Sequence, residues 1–135
     1  MTALRLHPVD HLSFVIGGTI ALYIFGFEGE AIVQAIFIHG AYNLFVHANI
    51  NLGFPRPLCY ILGSPNYHRW HHASDKEAID KNFATMFSLF DVIFCSYYYP
   101  RDKLPKTYGL YDHSKNYPKN FTGQILYPFQ RIKKK

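Results

Sequence analysis

The densest chemistry in this chain is the run His68-Arg69-Trp70-His71-His72. On a helix, positions i, i+3 and i+4 lie within roughly 100° of one another. The spacing therefore predicts three imidazoles pointing to one side. Imidazole is the commonest neutral metal ligand and suits Zn, Cu, Fe and Ni. A zinc peptidase would need a glutamate inside the motif as general base, as in HExxH, but the intervening residues are Arg69 and Trp70. The chain contains no Gly-x-Ser-x-Gly and no P-loop. A histidine-rich, carboxylate-poor donor set beside apolar helices fits iron that activates oxygen near a lipid chain. Spacing by itself does not separate the metals.

A second polar feature lies upstream. His39, Asn43 and His47 recur every four residues within an otherwise apolar stretch, so on a helix they form one stripe. Polar groups at membrane depth are costly unless they are paired or face a protein interior. A lone histidine there would read as a satisfied core residue; a stripe of three points to a site.

The elements that must position these groups are helical. Leu12–Phe27 carries no charge and is apolar all round, so protein or lipid must surround it. Sixteen residues of helix rise ~24 Å, short of the ~30 Å hydrocarbon core. Glu28-Gly29-Glu30 reads as a tight polar turn, and Ala31–Ile50 as a second apolar helix of about spanning length. The pair predicts an antiparallel membrane hairpin over 12–50; a buried hairpin in a soluble helical protein is the alternative. Gly53-Phe54-Pro55-Arg56-Pro57 breaks the helix, and Gly63-Ser64-Pro65-Asn66 is a second turn cluster. Phe87–Tyr99 is apolar and aromatic, interrupted by Asp91.

The net charge of +5 is uneven. Residues from Arg101 onward hold nine Lys/Arg against two Asp/Glu, whereas those before hold five against seven. A basic tail beside apolar helices suits the anionic cytoplasmic face of a membrane. No nucleic-acid motif accompanies the charge, so no nucleic acid is expected as partner. Cys59 and Cys95 form no CxxC and do not suggest a disulfide framework. The expected fold is all-α. It is one domain over 1–135, with an integral-membrane hairpin, a cytosolic histidine-bearing region at 64–99 and an irregular basic tail at 100–135.

Several stretches taken in order resemble the fatty acid hydroxylase / sterol desaturase superfamily. They are Arg5-Leu6-His7-Pro8, Phe45-Val46-His47-Ala48-Asn49, Ser64 through His72, Asp80-Lys81-Asn82-Phe83 and Phe90-Asp91-Val92-Ile93-Phe94, with Tyr108-Gly109-Leu110 following. HxxHH alone is moderately specific; the ordered set is strongly so. The resemblance implies an integral-membrane, all-helical oxidoreductase of lipid biosynthesis. Its cytosol-facing histidines hold a di-iron centre, which zinc can replace in purified protein. Such an enzyme uses O₂ and an electron donor to hydroxylate or desaturate a sterol, fatty acyl or related lipid.

Carried over by position, His68, His71 and His72 match the last histidine box, and His47 matches the histidine of the preceding membrane helix. His39 has no firm counterpart and, with Asn43, is expected to support that set; the Asn43 amide would orient His47, or a ligand found there in some members is absent. His7 matches a helix-start residue, and His11 and His113 read as unrelated. The superfamily usually continues the Phe94 motif with Gly-Thr, where Cys95-Ser96 stands here. Members also carry two earlier histidine boxes before the Arg-Leu-His-Pro segment. The chain is therefore expected to be the C-terminal part of such an enzyme, inactive alone and completed by an N-terminal half in cis or in trans. A non-catalytic membrane binding protein and a zinc hydrolase are the other readings.

Overall fold

The protein is described here by a computed structural model that covers residues 7–109 and 118–132. Five α-helices and two short 3-10 turns appear, and there is no strand among the described residues. The all-α expectation holds. The residues form two compact units, 29–109 in one, and 7–28 with 118–132 in the other.

In the smaller unit, helix α1 spans Pro8–Ile24. His7 caps it: its Nδ1 accepts from the Val9 amide at 3.3 Å, while its other ring nitrogen meets the Ile125 carbonyl at 3.0 Å. His7 is thus the helix-start residue the sequence suggested. Pro8 sits in the first turn, where its missing N–H costs nothing. The helix closes at Phe25, and Gly26 takes the left-handed backbone, φ +83°, that glycine adopts without strain. The turn therefore lies just before Glu28-Gly29-Glu30 and not on it. No residue of α1 is buried.

The tail also differs from expectation. It is not irregular throughout, because Phe121–Ile132 forms a helix, α5. The Asn120 side chain accepts from the Gly123 amide at 3.1 Å and so starts it. Phe121, Ile125 and Phe129 then recur every four residues. The Tyr127-Pro128 pair, within the tail expected to be irregular, lies inside this helix. His113 and Leu110 lie outside the described residues.

In the larger unit, α2 spans Gly29–Val46, starting and ending earlier than the expected 31–50. Beyond Val46 the side chains of Asn49 and Asn51 bond to Arg69 and Asn66. The chain there turns toward the histidine region and leaves the helix. Helices of 17 and 18 residues rise about 26–27 Å. Among the described residues no helix is long and apolar enough to cross a membrane.

Helix α3, Pro65–His71, carries the histidine motif. Ser64 caps it by accepting from the Tyr67 amide at 3.2 Å, and Pro65 pre-sets its first turn. The Tyr42 hydroxyl of α2 donates to the Gly63 carbonyl at 2.8 Å, which fixes α2 against the entry to α3. Gly63 must stay small: a Cβ there would meet the Thr85 carbonyl at 2.6 Å. The core beneath α3 joins Trp70, Ala73 and Ala78 with Tyr98 and Tyr99. Helix α4, Leu89–Ile93, buries only Asp91. Residues 107–109 return to pair with 72–74, through Ser74 N to Thr107 O and Gly109 N to His72 O, both 3.0 Å. This gives the Tyr108-Gly109 stretch a role in closing the end of α3.

Candidate metal centre

Three imidazoles converge. The Nε2 atoms of His47, His68 and His72 form a triangle with sides of 3.1, 3.1 and 3.2 Å. His68 and His72 are four apart on α3 and its C-cap, so they project one above the other. His47 enters from the residue just after α2. These three are the one group of candidate metal donors found among the described residues.

His71 does not join this triangle; of the four histidines expected to gather at one or two shared points, three meet here. In a helix with 3.6 residues per turn, i+3 and i+4 fall on opposite sides of i. His72 lies over His68, and His71 swings to the other flank. There its Nδ1 meets the Lys81 carbonyl at 3.1 Å, and its ring stacks on His68 at 5.3 Å and edges Phe83 at 6.0 Å. His39 is half-buried in α2 and is not one of the three converging donors.

The tautomers follow from the partners, since a carbonyl can only accept. The Asn43 carbonyl lies 2.7 Å from His47 Nδ1, so that nitrogen carries the hydrogen and Nε2 presents its lone pair. The group of Asn43 that holds His47 is thus its main-chain carbonyl, where the amide was expected. The same logic leaves His71 Nε2 with a lone pair. His68 Nδ1 is buried and has no partner among the described residues.

Burial, then the neighbouring His72, His47 and His71 rings, pushes His68 down to about 2. Burial, His71 and His47 push His72 down to about 4. Both rings are therefore neutral at physiological pH and available as donors. With Nε2 lone pairs on His68 and His72 as on His47, the three nitrogens would face one another across about 3 Å and call for a cation between them. A metal about 2.0–2.1 Å from each nitrogen, the zinc–imidazole range, would subtend angles of about 100° between donors. The donor set fits a metal ion.

The sequence placed Asn82 and Asp91 in its matching stretches but gave them no part in holding the motif. Asn82, fully buried, donates to the Tyr67 carbonyl at 3.1 Å and the Tyr98 carbonyl at 2.7 Å, and accepts from the Tyr98 amide at 2.8 Å. It does so from a left-handed backbone, φ +57°, which asparagine tolerates better than most. Asp91 accepts from the Phe83 and Ala84 amides at 2.9 and 2.8 Å, and from Tyr67 and Ser96. The available signal was an aspartate inside an aromatic run and the Asp80-Lys81-Asn82-Phe83 stretch.

The fold and site define a helical protein built around converging imidazoles, and comparison with known proteins then narrows the class. The family model described as Fatty acid hydroxylase matches residues 1–96. The chain belongs to the fatty acid hydroxylase family. It is similar to human alkylglycerol monooxygenase, with 37% identity over 71 residues, 51% of this chain and 15% of that protein. It is similar along 94% of its length to an ornithine lipid hydroxylase from Rhizobium tropici, at 24% identity and 37% of that protein. Alkylglycerol monooxygenase from Caenorhabditis elegans matches at 35% over 54 residues, 40% of this chain and 11% of that protein. The chain thus spans between 11% and 37% of the length of these relatives. No solved structure matches.

Proposed function

We propose that this chain supplies part of an integral-membrane enzyme that hydroxylates a lipid at a histidine-ligated di-iron centre, using O₂ and an external electron donor. The observation that carries the reading is the triangle of His47, His68 and His72 Nε2 atoms. These three hold one ion, and His71 serves the second. Iron, when bound, supplies the redox chemistry that lets dioxygen attack an unactivated C–H bond. The protein's share is to keep His68 and His72 neutral by burial and to lock the His47 and His71 tautomers on the Asn43 and Lys81 carbonyls. Such outer hydrogen bonds orient imidazole ligands and raise their basicity.

The names of the relatives favour hydroxylation over desaturation. Apolar surface supports a membrane setting: Phe14 is 62% exposed in α1 and Phe37 76% in α2. The basic tail supports a cytoplasmic side for the histidines. The remaining ligands would come from a segment outside these residues, in cis or in trans. The test is iron content and lipid oxidation of the full-length protein, measured by elemental analysis and mass spectrometry of extracted lipids. His68→Ala should remove both iron and product; an iron-loaded, fully active His68→Ala protein would overturn the reading.

A further inference from the structure

A cleft of about 680 Å³ in the larger unit is lined by Gly53, Arg56, Asn66, Tyr99, Arg101 and Asp102, among others. Its two guanidiniums and its phenolic hydroxyl are only lightly engaged. Arg56 makes one contact, over the Tyr60 ring at 5.9 Å, and Arg101 donates one long bond, 3.4 Å, to the Phe54 carbonyl. Neither guanidinium has an ion pair among the described residues. The Tyr99 hydroxyl also lacks an acceptor among them, and it reaches so close to Gly53 that a Cβ there would collide with it. Two guanidiniums and a phenolic O–H on one cleft are a donor set for a phosphate or carboxylate, which arginine binds in fork geometry.

The cleft also connects with the site. Asn66 accepts from Arg69 Nη1 at 3.2 Å, and Arg69 in turn lines a cavity of about 250 Å³ together with His47 and His68. Gly53 and Arg56 follow closely in sequence on the end of the apolar α2, and basic residues just outside an apolar span are where lipid headgroups meet protein. The cleft is open to solvent, as access for the headgroup of an anchored lipid requires.

We propose that this cleft binds the phosphate-bearing headgroup of a lipid, with Arg56 and Arg101 on the phosphate and the Tyr99 hydroxyl donating beside them. The lipid part of this assignment rests on the function proposed above. Asp102 lines the same cleft and opposes an anion, which gives the assignment a sign that can be checked.

The test uses the full-length protein in detergent, titrated calorimetrically with dihexanoyl phosphatidic acid, dihexanoylglycerol and inorganic phosphate. Phosphatidic acid should bind saturably. The Arg56→Gln/Arg101→Gln variant should weaken it at least about tenfold, the scale of losing charge-assisted hydrogen bonds. Gly53→Ala, which sets a methyl against the Tyr99 hydroxyl, should weaken it independently, and Asp102→Asn should tighten it. Lys103→Gln/Lys106→Gln, a control for general basicity, should change it less than about twofold. Equal affinity for dihexanoylglycerol, or unchanged phosphatidic acid binding in the arginine variant, would overturn the site. Full competition by inorganic phosphate at equal concentration would overturn its assignment to lipid. Failure of the catalytic reading is seen separately: iron and oxidation would be missing while arginine-dependent binding persists.

Discussion

The Tyr67 hydroxyl donates to the Asp91 carboxylate across 24 positions of sequence, joining the histidine helix to α4 at a point where both residues are buried. Asp91 also holds the Phe83 and Ala84 amides, just after the Lys81 carbonyl that orients His71. Tyr67→Phe removes one bond to a charged group and is expected to cost about 1.5–3 kcal/mol. Asp91→Ala strands several buried donors and should cost more than about 3 kcal/mol. Chemical denaturation of the full-length protein checks the order, and equal stability of Asp91→Ala and wild type would contradict it.

Asn82 is expected to matter as much as a ligand. Asn82→Ala deletes bonds to Tyr67 and Tyr98 and leaves a left-handed residue without its side chain's support. A loss of about 2–4 kcal/mol is expected from stranded backbone groups and strain together. Asn82→Asp keeps an acceptor for the Tyr98 amide and should lose less than Asn82→Ala only if that bond dominates. Thermal melts of the two variants decide the point.

Metal loading should separate the four histidines. His47→Ala, His68→Ala and His72→Ala each break the Nε2 triangle and should remove the ion held there. His71→Ala leaves that triangle whole and should retain about one ion per chain while abolishing oxidation. Elemental analysis after chelator treatment and reloading distinguishes the cases. Complete metal loss in His71→Ala would place that ring in the first site.

The metal-free protein should be acid-sensitive in a defined direction. His68 and His72 are held down to about 2 and about 4, chiefly by burial. Both lie below the ordinary ~6.5, so at acidic pH the unfolded chain binds more protons than the folded one. Stability is thus complete above about pH 6.5 and is lost progressively as the pH falls from there down through the folded values. Imidazole NMR shifts at pH 5 should report both rings as neutral, and the unfolding midpoint at pH 5 should lie below that at pH 7.5. Imidazolium shifts appearing near pH 6.5 would refute the argument.

Topology gives a further expectation. With a membrane hairpin, cysteines placed at Glu28 and Lys134 should label from opposite sides of intact membranes, with Lys134 on the cytoplasmic face. Labelling of both from one side would mean that the helices do not span.

The sequence by itself determined what depends on local periodicity. A fourfold spacing from His68 to His72 superposes two rings on any α-helix, His7-Pro8 starts a helix, and long apolar runs make helices. His47 was also legible, as the end of a polar stripe. Tertiary structure decided what depends on partners remote in sequence. Helix geometry puts His71 on the other flank of His68, but it is the Lys81 carbonyl, ten residues on, that fixes its ring there through Nδ1. Val46 ends α2 where Asn49 and Asn51 find Arg69 and Asn66. Asn82 and Asp91 gain their importance only where loops bring Tyr67 and Tyr98 to them. Helix α5 was masked in sequence because the residue before a proline is biased away from helical backbone, a local preference that Tyr127 overrides within an amphipathic helix capped by Asn120. Periodicity fixes which side chains share a helix face, but the approach of one element to another follows from packing and hydrogen bonds that no short window of sequence contains.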